Sequence, residues 1–250
     1  LVQLDVLMLA WYFDGAVVAI YVLARRLAST VLKAPQAFDA IFSSVVSELT
    51  LQRRHAELGE RFVTVARWIL TVNLPVAVCL LLIGDTILQQ LGASDLEVAA
   101  DLQMAIEVLF VLCVGMMIQS VFAVAEPLLA MSGRPGVNLV NNILWLALNF
   151  GLNLWLIDVY GILGAAIGAA VAMIFVAMLR VTEVYVLRSI FPFRGTQLKP
   201  LLAGTGAAVP TWLLCQATSD PLWRSLLPSA GFLVAYVGLL FLLRLEPEDR

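Results

Sequence analysis

Three polar side chains near the start of the chain lie inside an apolar segment at a helical spacing. Asp14, Tyr21 and Arg25 stand at positions i, i+7 and i+11, so a continuous helix presents them on one face. The same helix places Asp5 and Tyr12 on the opposite face. Charged groups inside a membrane segment are costly and usually face the interior of a bundle. We therefore expect the first face to border a polar cavity that binds substrate.

Two further basic residues, Arg26 and Lys33, cluster with Arg25 where the first apolar segment meets the second. A guanidinium group donates bidentate hydrogen bonds to phosphate oxygens. The cluster therefore suits a phosphate or diphosphate group at the mouth of a cavity. For Arg26 and Lys33 an equal alternative is an interfacial anchor, whose charged end reaches the membrane surface.

A row of amide side chains follows one face of a later apolar segment, and it consists of Asn138, Asn142, Asn149 and Asn153. On a helix that turns about 100° per residue, these four fall within roughly 60° of one another. Lipid offers an amide no hydrogen-bond partner. We favour a substrate-binding cavity wall over hydrogen bonding between helices, because packing seldom needs four amides on one face. Trp145 lies in the same stripe, where it could stack on a sugar ring or fill space.

One carboxylate lies beside a helix-breaking residue, in the sequence Ala125-Glu126-Pro127, and it shares a face with Gln119. Glu126 is a candidate for coupling transport to an ion or a proton, and Asp14 is a second. Alternatively, Glu126 lies near the cytoplasmic end of its helix and is solvated. The spacing leaves both interpretations open.

The elements that must position these residues are membrane helices. The 250 residues are 62% hydrophobic and 13% charged, whereas about a quarter of a soluble domain is charged. An all-α, polytopic transmembrane bundle is predicted, since a membrane helix needs about 20 residues. Its eight apolar segments cover residues 4–26, 30–50, 62–84, 101–130, 137–157, 161–186, 200–218 and 225–244.

The basic loops alternate with neutral or acidic ones along the chain. By the positive-inside rule, 11 of the 15 Lys and Arg residues lie on the cytoplasmic side, with Arg25, Arg26, Lys33 and Arg224 on the outer side. An even number of helices then places both ends of the chain in the cytoplasm. The predicted location is the cell inner membrane, as a multi-pass protein in contact with membrane lipids.

No residue pattern indicates an enzyme, a cofactor or a metal site. The single histidine, His55, lies in a basic loop, and the three cysteines stand alone in apolar runs. The net charge of −3, without aromatic residues interleaved among basic ones, gives no case for a nucleic-acid partner.

Several short motifs together resemble one family of transporters. The sequences DVLML (5–9), IYVLARRL (20–27) and APQAF (34–38) are similar to the first helix pair in the C-terminal lobe of flippases for polysaccharides or lipid-linked oligosaccharides. Four further segments are similar to later helices of that family, and they are LAMSGRP (129–135), Asn149 to Asn153, YGI (160–162) and GAAI (164–167). The family belongs to the multidrug/oligosaccharidyl-lipid/polysaccharide exporter superfamily.

The resemblance implies a fold and a function. Residues 1–190 would form the C-terminal six-helix lobe of a fourteen-helix flippase, and residues 191–250 the final helix pair with a cytoplasmic tail. The N-terminal lobe would be absent, so we expect a fragment that does not transport alone. The whole transporter would flip an undecaprenyl-diphosphate-linked oligosaccharide by alternating access, with Arg25 and Arg26 at the positions that hold the diphosphate. The alternatives are a cation-coupled multidrug exporter and a membrane scaffold without transport activity.

Overall fold

The computed structural model describes residues 4–92, 99–131, 135–188, 197–217 and 221–242. These residues form a helical bundle without a strand, which confirms the predicted all-α class. The helices are α1 (Leu4–Tyr12), α2 (Gly15–Ala28), α3 (Lys33–Leu51), α4 (His55–Gly92), α5 (Ala99–Phe122), α6 (Ala125–Met131), α7 (Pro135–Arg188), α8 (Leu198–Ala217) and α9 (Pro221–Leu242), and a 3₁₀ turn (Ser29–Leu32) joins α2 to α3.

Four helical stretches are long and apolar enough to cross a membrane, and they cover Gly15–Leu51, Ala56–Gln90, Leu102–Met131 and Pro135–Leu187. The helices α8 and α9 have 20 and 22 residues, the length of one crossing each. The predicted multi-pass membrane protein is therefore confirmed.

The first two predicted segments are divided differently in the structure. The chain leaves the helix after Tyr12, and Asp14 has an extended backbone before α2 begins. From Gly15 the backbone stays helical to Leu51. The prediction of one helix over 4–26 and another over 30–50 was therefore wrong. The 3₁₀ turn accounts for the continuity, because its tighter winding lies four residues before Pro35, where a proline ring would clash with an α-helical carbonyl.

In this continuous helical run, the three basic residues near its middle lie at a different place than predicted. Arg25, Arg26 and Lys33 lie inside a 37-residue helical stretch and not at a loop between two helices. Arg25 lies roughly 15 Å from the start of the run at 1.5 Å per residue. The predicted junction between two helices at these residues was therefore wrong, and their assignment to the outer side stays a prediction. The orientation of the two chain ends stays a prediction, and the tail from 243 onward lies outside the described residues.

Helix α7 is a hairpin of two arms that reverses at Gly161, where φ is 60° and ψ is −138°. We call residues 135–160 the first arm and residues 162–188 the second arm. Only glycine adopts that backbone region readily. A methyl group at Gly164 would overlap the carbonyl oxygen of Leu156, so the arms are in direct contact. The hairpin predicted around 157–161, with its Gly164-x-x-x-Gly168 contact, is confirmed.

Three apolar cores hold the bundle together. The first joins α1, α2, α4, α5 and the turn of α7 through side chains such as Leu9, Leu112 and Ile162. A second core, with Phe62 and Leu128, joins α3, α4, α6 and the second arm. The third packs α8 and α9 against α4, where the rings of Phe232 and Tyr236 stack with centroids 5.9 Å apart. The division into residues 1–190 and residues 191–250 stays a prediction.

Candidate functional site

A cavity of about 580 Å³ is bordered by α2, α3, α5, α6 and both arms of α7. It contacts residues of the first and second apolar cores. Its charged lining residues are Arg25, Asp39, Glu126 and Arg180. The cavity is also lined by uncharged polar side chains and one indole, which belong to Ser29, Gln36, Gln119, Asn142 and Trp145. A cavity with this lining can bind a ligand that carries both an anionic group and hydroxyl groups.

Arg25 reaches the cavity from α2 and is held from behind by α1. Its guanidinium forms an ion pair with Asp5, whose side chain is 2% exposed. The hydroxyl group of Tyr21 donates a hydrogen bond to the same carboxylate. Asp5 was predicted on the opposite helix face, and that prediction was wrong because α1 folds back along α2. Asp5 is therefore a buried positioning residue that sequence reasoning missed.

The other predicted residues of this region lie outside the cavity. Asp14 is exposed at the start of α2, so the break before Gly15 removes it from the face of Tyr21 and Arg25. Tyr21 is fully buried, where it bonds to Asp5. Arg26 and Lys33 are exposed and do not line the cavity. Of the predicted N-terminal set, Arg25 alone lines the cavity in this structure.

Arg180 is the second cavity arginine, and the positive-inside rule predicted it only as one of the 11 basic residues on the cytoplasmic side. It is 8% exposed on the second arm of α7. Its Nη1 donates to Oε2 of Glu126 at 2.7 Å, and its Nη2 donates to Oδ1 of Asn142 at 2.7 Å. The signal was available, because Arg180 lies within the apolar segment 161–186 and an intramembrane charge suggests a functional role.

Half of the asparagine stripe is buried between the two arms of α7. Asn149 and Asn153 are 1% and 0% exposed, and Nδ2 of Asn153 donates to Oδ1 of Asn149 at 3.2 Å. A methyl group at Gly168 would come within 2.5 Å of Oδ1 of Asn153, so the second arm covers the stripe directly. The small residues of that arm leave no room for a cavity here. The prediction that these two asparagines line a cavity was therefore wrong.

The part of the stripe farther from the turn of α7 is divided between packing and the cavity. Nδ2 of Asn138 donates to the backbone oxygen of Glu126 at 2.9 Å, which ties the first arm to α6. Nδ2 of Asn141 donates to Oε2 of Glu183 at 2.5 Å, which ties the two arms together. Asn142 lines the cavity, as does Trp145. Of the four stripe residues, Asn138 and Asn142 bond to other helical segments, and Asn142 also lines the cavity. Asn149 and Asn153 bond to each other within the first arm.

The two cavity carboxylates come from different helices. Glu126 lines the cavity from α6 and shares it with Gln119, as their common face predicted. Asp39 lines it from α3 and lies within electrostatic range of Glu126. Asp39 was not predicted, although it stands inside the apolar segment 30–50. Within the described residues, no three His, Cys, Asp or Glu side chains form a group that could hold a metal ion.

Comparison with known proteins gives a structural match only. No protein-family model and no curated protein sequence matches the chain. One similar solved structure is the lipid II flippase MurJ in an inward closed conformation, with a TM-score of 0.69 and 16% sequence identity. The match covers 92% of this chain and 48% of MurJ, so the chain spans about half of that protein's length.

At this level of identity the match shows the fold and not the activity. The chain has the fold of about half of a MurJ-type flippase. This agrees with the predicted exporter-type fold.

Proposed function

We propose that this chain is one lobe of an inner-membrane transporter that flips a lipid-linked oligosaccharide of the undecaprenyl-diphosphate type by alternating access. The observation that carries the proposal is the polar cavity, because it brings Arg25 and Arg180 together with amide groups inside a flippase-type fold. Guanidinium groups suit phosphate oxygens. Apolar surroundings strengthen each charged contact relative to water.

The cavity residues divide between the two parts of such a ligand. Arg25 would bind the diphosphate, with Asp5 and Tyr21 fixing its orientation from behind. Asn142 and Gln119 would exchange hydrogen bonds with sugar hydroxyl groups, and the indole of Trp145 offers a flat apolar surface to a sugar ring. Arg26 has no part in this assignment, because it is exposed outside the cavity.

The remaining predicted partners belong to the same proposal. An N-terminal lobe would complete the transporter and provide the other wall of its pathway. Residues 1–190 would then be the C-terminal lobe, and residues 191–250 a final helix pair that contacts membrane lipids. Transport requires both lobes, whereas binding to the cavity described here requires only this chain.

The test compares two adjacent arginines. The chain is placed in lipid nanodiscs that contain undecaprenyl diphosphate, and native mass spectrometry counts the lipid that stays bound. We expect Arg25→Ala to lower the bound fraction about tenfold or more, since a hydrogen bond to a charged group is worth about 1.5–3 kcal/mol. Arg26→Ala removes the same charge one residue away and should leave binding unchanged. Equal binding by both variants and the wild type would contradict the proposal.

A second candidate is a cation-coupled multidrug exporter of the same superfamily. The observation in its favour is the pair of cavity carboxylates, Asp39 and Glu126, which could attract a cationic drug or a coupling ion. Asp14 no longer supports this candidate, because it is exposed. With the complementary lobe supplied, loss of drug efflux in Glu126→Gln, together with unchanged lipid binding in Arg25→Ala, would favour the exporter.

A further inference from the structure

Arg180 is buried but not fully bonded. Two of its nitrogens bond to Glu126 and Asn142, while Nε is buried without a hydrogen-bond partner. A buried, unbonded donor on a charged group costs free energy, and a ligand or a water molecule at the cavity would recover it. The two arginines therefore differ, because Arg25 is paired from behind the cavity and Arg180 is paired with a residue of the cavity wall.

The counterion of Arg180 is exposed. The side chain of Glu126 is 50% exposed, whereas that of Arg180 is 10% exposed. An exposed carboxylate can rotate into water at little desolvation cost, while the buried arginine cannot follow it. When another anion reaches Arg180, the ion pair would therefore separate by movement of Glu126, while Arg180 stays in place.

The charge balance of the cavity explains why Glu126 would have to leave Arg180 before an anion binds. Two arginines face three carboxylates, if Asp5 behind Arg25 is counted with Asp39 and Glu126. Asp39 forms no ion pair with any described cation. An anionic ligand therefore meets a cavity with one surplus negative charge until a carboxylate moves away or is neutralised.

We propose that Arg180 is a second anion-binding residue, which joins Arg25 in binding a diphosphate when the ligand displaces Glu126 from it. The inference rests on the proposed function and extends it by naming the residue that binds the second phosphate. Two guanidinium groups on different helices match two linked phosphates better than one. Displacement of Glu126 would also break the link between α6 and the second arm, so ligand binding would loosen that end of the cavity.

The test uses charge-matched variants in nanodiscs of neutral lipid, with inorganic pyrophosphate and inorganic phosphate as soluble probes in calorimetric titrations. Arg180→Gln should weaken pyrophosphate binding about tenfold or more and weaken phosphate binding less. Glu126→Gln should strengthen pyrophosphate binding several-fold, because it frees Arg180 and removes a negative charge. Glu183→Gln makes the same change of charge on the second arm, outside the cavity, and should have no effect.

A second binding experiment, called the lipid arm, distinguishes a lipid headgroup from a free anion as the natural ligand. The same variants are compared with undecaprenyl diphosphate in the nanodiscs, and the order Glu126→Gln, wild type, Arg180→Gln is expected in that arm. If pyrophosphate does not bind, the lipid arm alone decides. Unchanged binding in Arg180→Gln, weaker binding in Glu126→Gln, or no binding by the wild type in either arm would overturn the inference.

Two results keep this test independent of folding and of the proposed function. If Arg180→Gln does not fold, Glu126→Gln decides, because the amide that replaces the carboxylate can still accept a hydrogen bond from Arg180 and the predicted change is a gain. Detergent unfolding checks that this variant is folded. If Arg25→Ala abolishes binding while Arg180→Gln does not, the proposed function stands and only the role of Arg180 fails. If Arg25→Ala has no effect, the proposed function itself fails.

Discussion

Two polar regions of the same hairpin have opposite surroundings. Near the turn of α7, Asn149 and Asn153 are buried, bonded to each other and covered by Gly168. Near its open end, Asn142 and Arg180 border a cavity whose lining includes larger apolar groups such as Met173. The difference teaches that the size of the facing residues, and not the polarity of the stripe, decides whether amides pack or line a cavity.

The largest effect should come from breaking the support of Arg25. Asp5→Asn removes the counterion of the Arg25 guanidinium, whose side chain is 16% exposed, and breaking such a largely buried ion pair costs about 3–5 kcal/mol. Unfolding in mixtures of mild detergent and dodecyl sulfate measures the loss. Asp14→Asn is the matched control, because Asp14 is exposed and the substitution should change stability by less than about 0.5 kcal/mol. Equal stability of the two variants would contradict the folded-back position of α1.

The next largest loss of stability should come from adding a methyl group where the two arms of α7 touch. Gly164→Ala places a methyl group on the backbone of Leu156, where no side chain can move aside, and should cost about 3 kcal/mol or more. Gly151→Ala lies on the first arm with nothing within 4 Å of the added methyl group. It should be neutral or slightly stabilising, since alanine favours a helix by about 1 kcal/mol. The same unfolding measurement distinguishes the two, and a tolerated Gly164→Ala would argue against the hairpin.

The smallest effects should separate the two polar regions most sharply. Asn153→Ala removes a hydrogen bond worth about 0.6 kcal/mol in membrane bundles and should lower stability without changing lipid binding. Asn142→Ala should weaken binding of undecaprenyl-diphosphate-linked sugar several-fold and leave stability within about 1 kcal/mol of the wild type. Native mass spectrometry and detergent unfolding measure the two quantities. A reversed pattern would mean that the stripe, and not the cavity, binds the ligand.

Sequence reasoning predicted most of the fold for physical reasons that act locally. The apolar segments gave the membrane class, and Gly161 with Gly164 gave the hairpin, because a reversal and a close contact each demand glycine. The first segment was predicted wrongly, because apolar residues stand on both sides of Asp14 and suggest one helix, whereas the helix ends after Tyr12 and a new one begins at Gly15.

The site was harder to predict because it depends on contacts between distant parts of the chain. Arg25 and Asn142 were found from helical periodicity, which reports only one helix at a time. Arg180 and Asp5 were missed, since their importance comes from partners 54 and 20 residues away in the sequence, Glu126 and Arg25. An unpaired charge within an apolar segment was the available signal in both cases.

The most direct test of the account is one comparison of lipid binding. Wild type, Arg25→Ala and Asn153→Ala are placed in identical nanodiscs, and the fraction that retains undecaprenyl diphosphate is measured by native mass spectrometry. The account predicts loss of the lipid in Arg25→Ala and wild-type retention in Asn153→Ala, because Arg25 lines the cavity and Asn153 does not. Retention by Arg25→Ala with loss in Asn153→Ala would contradict the assignment of the cavity as the binding site.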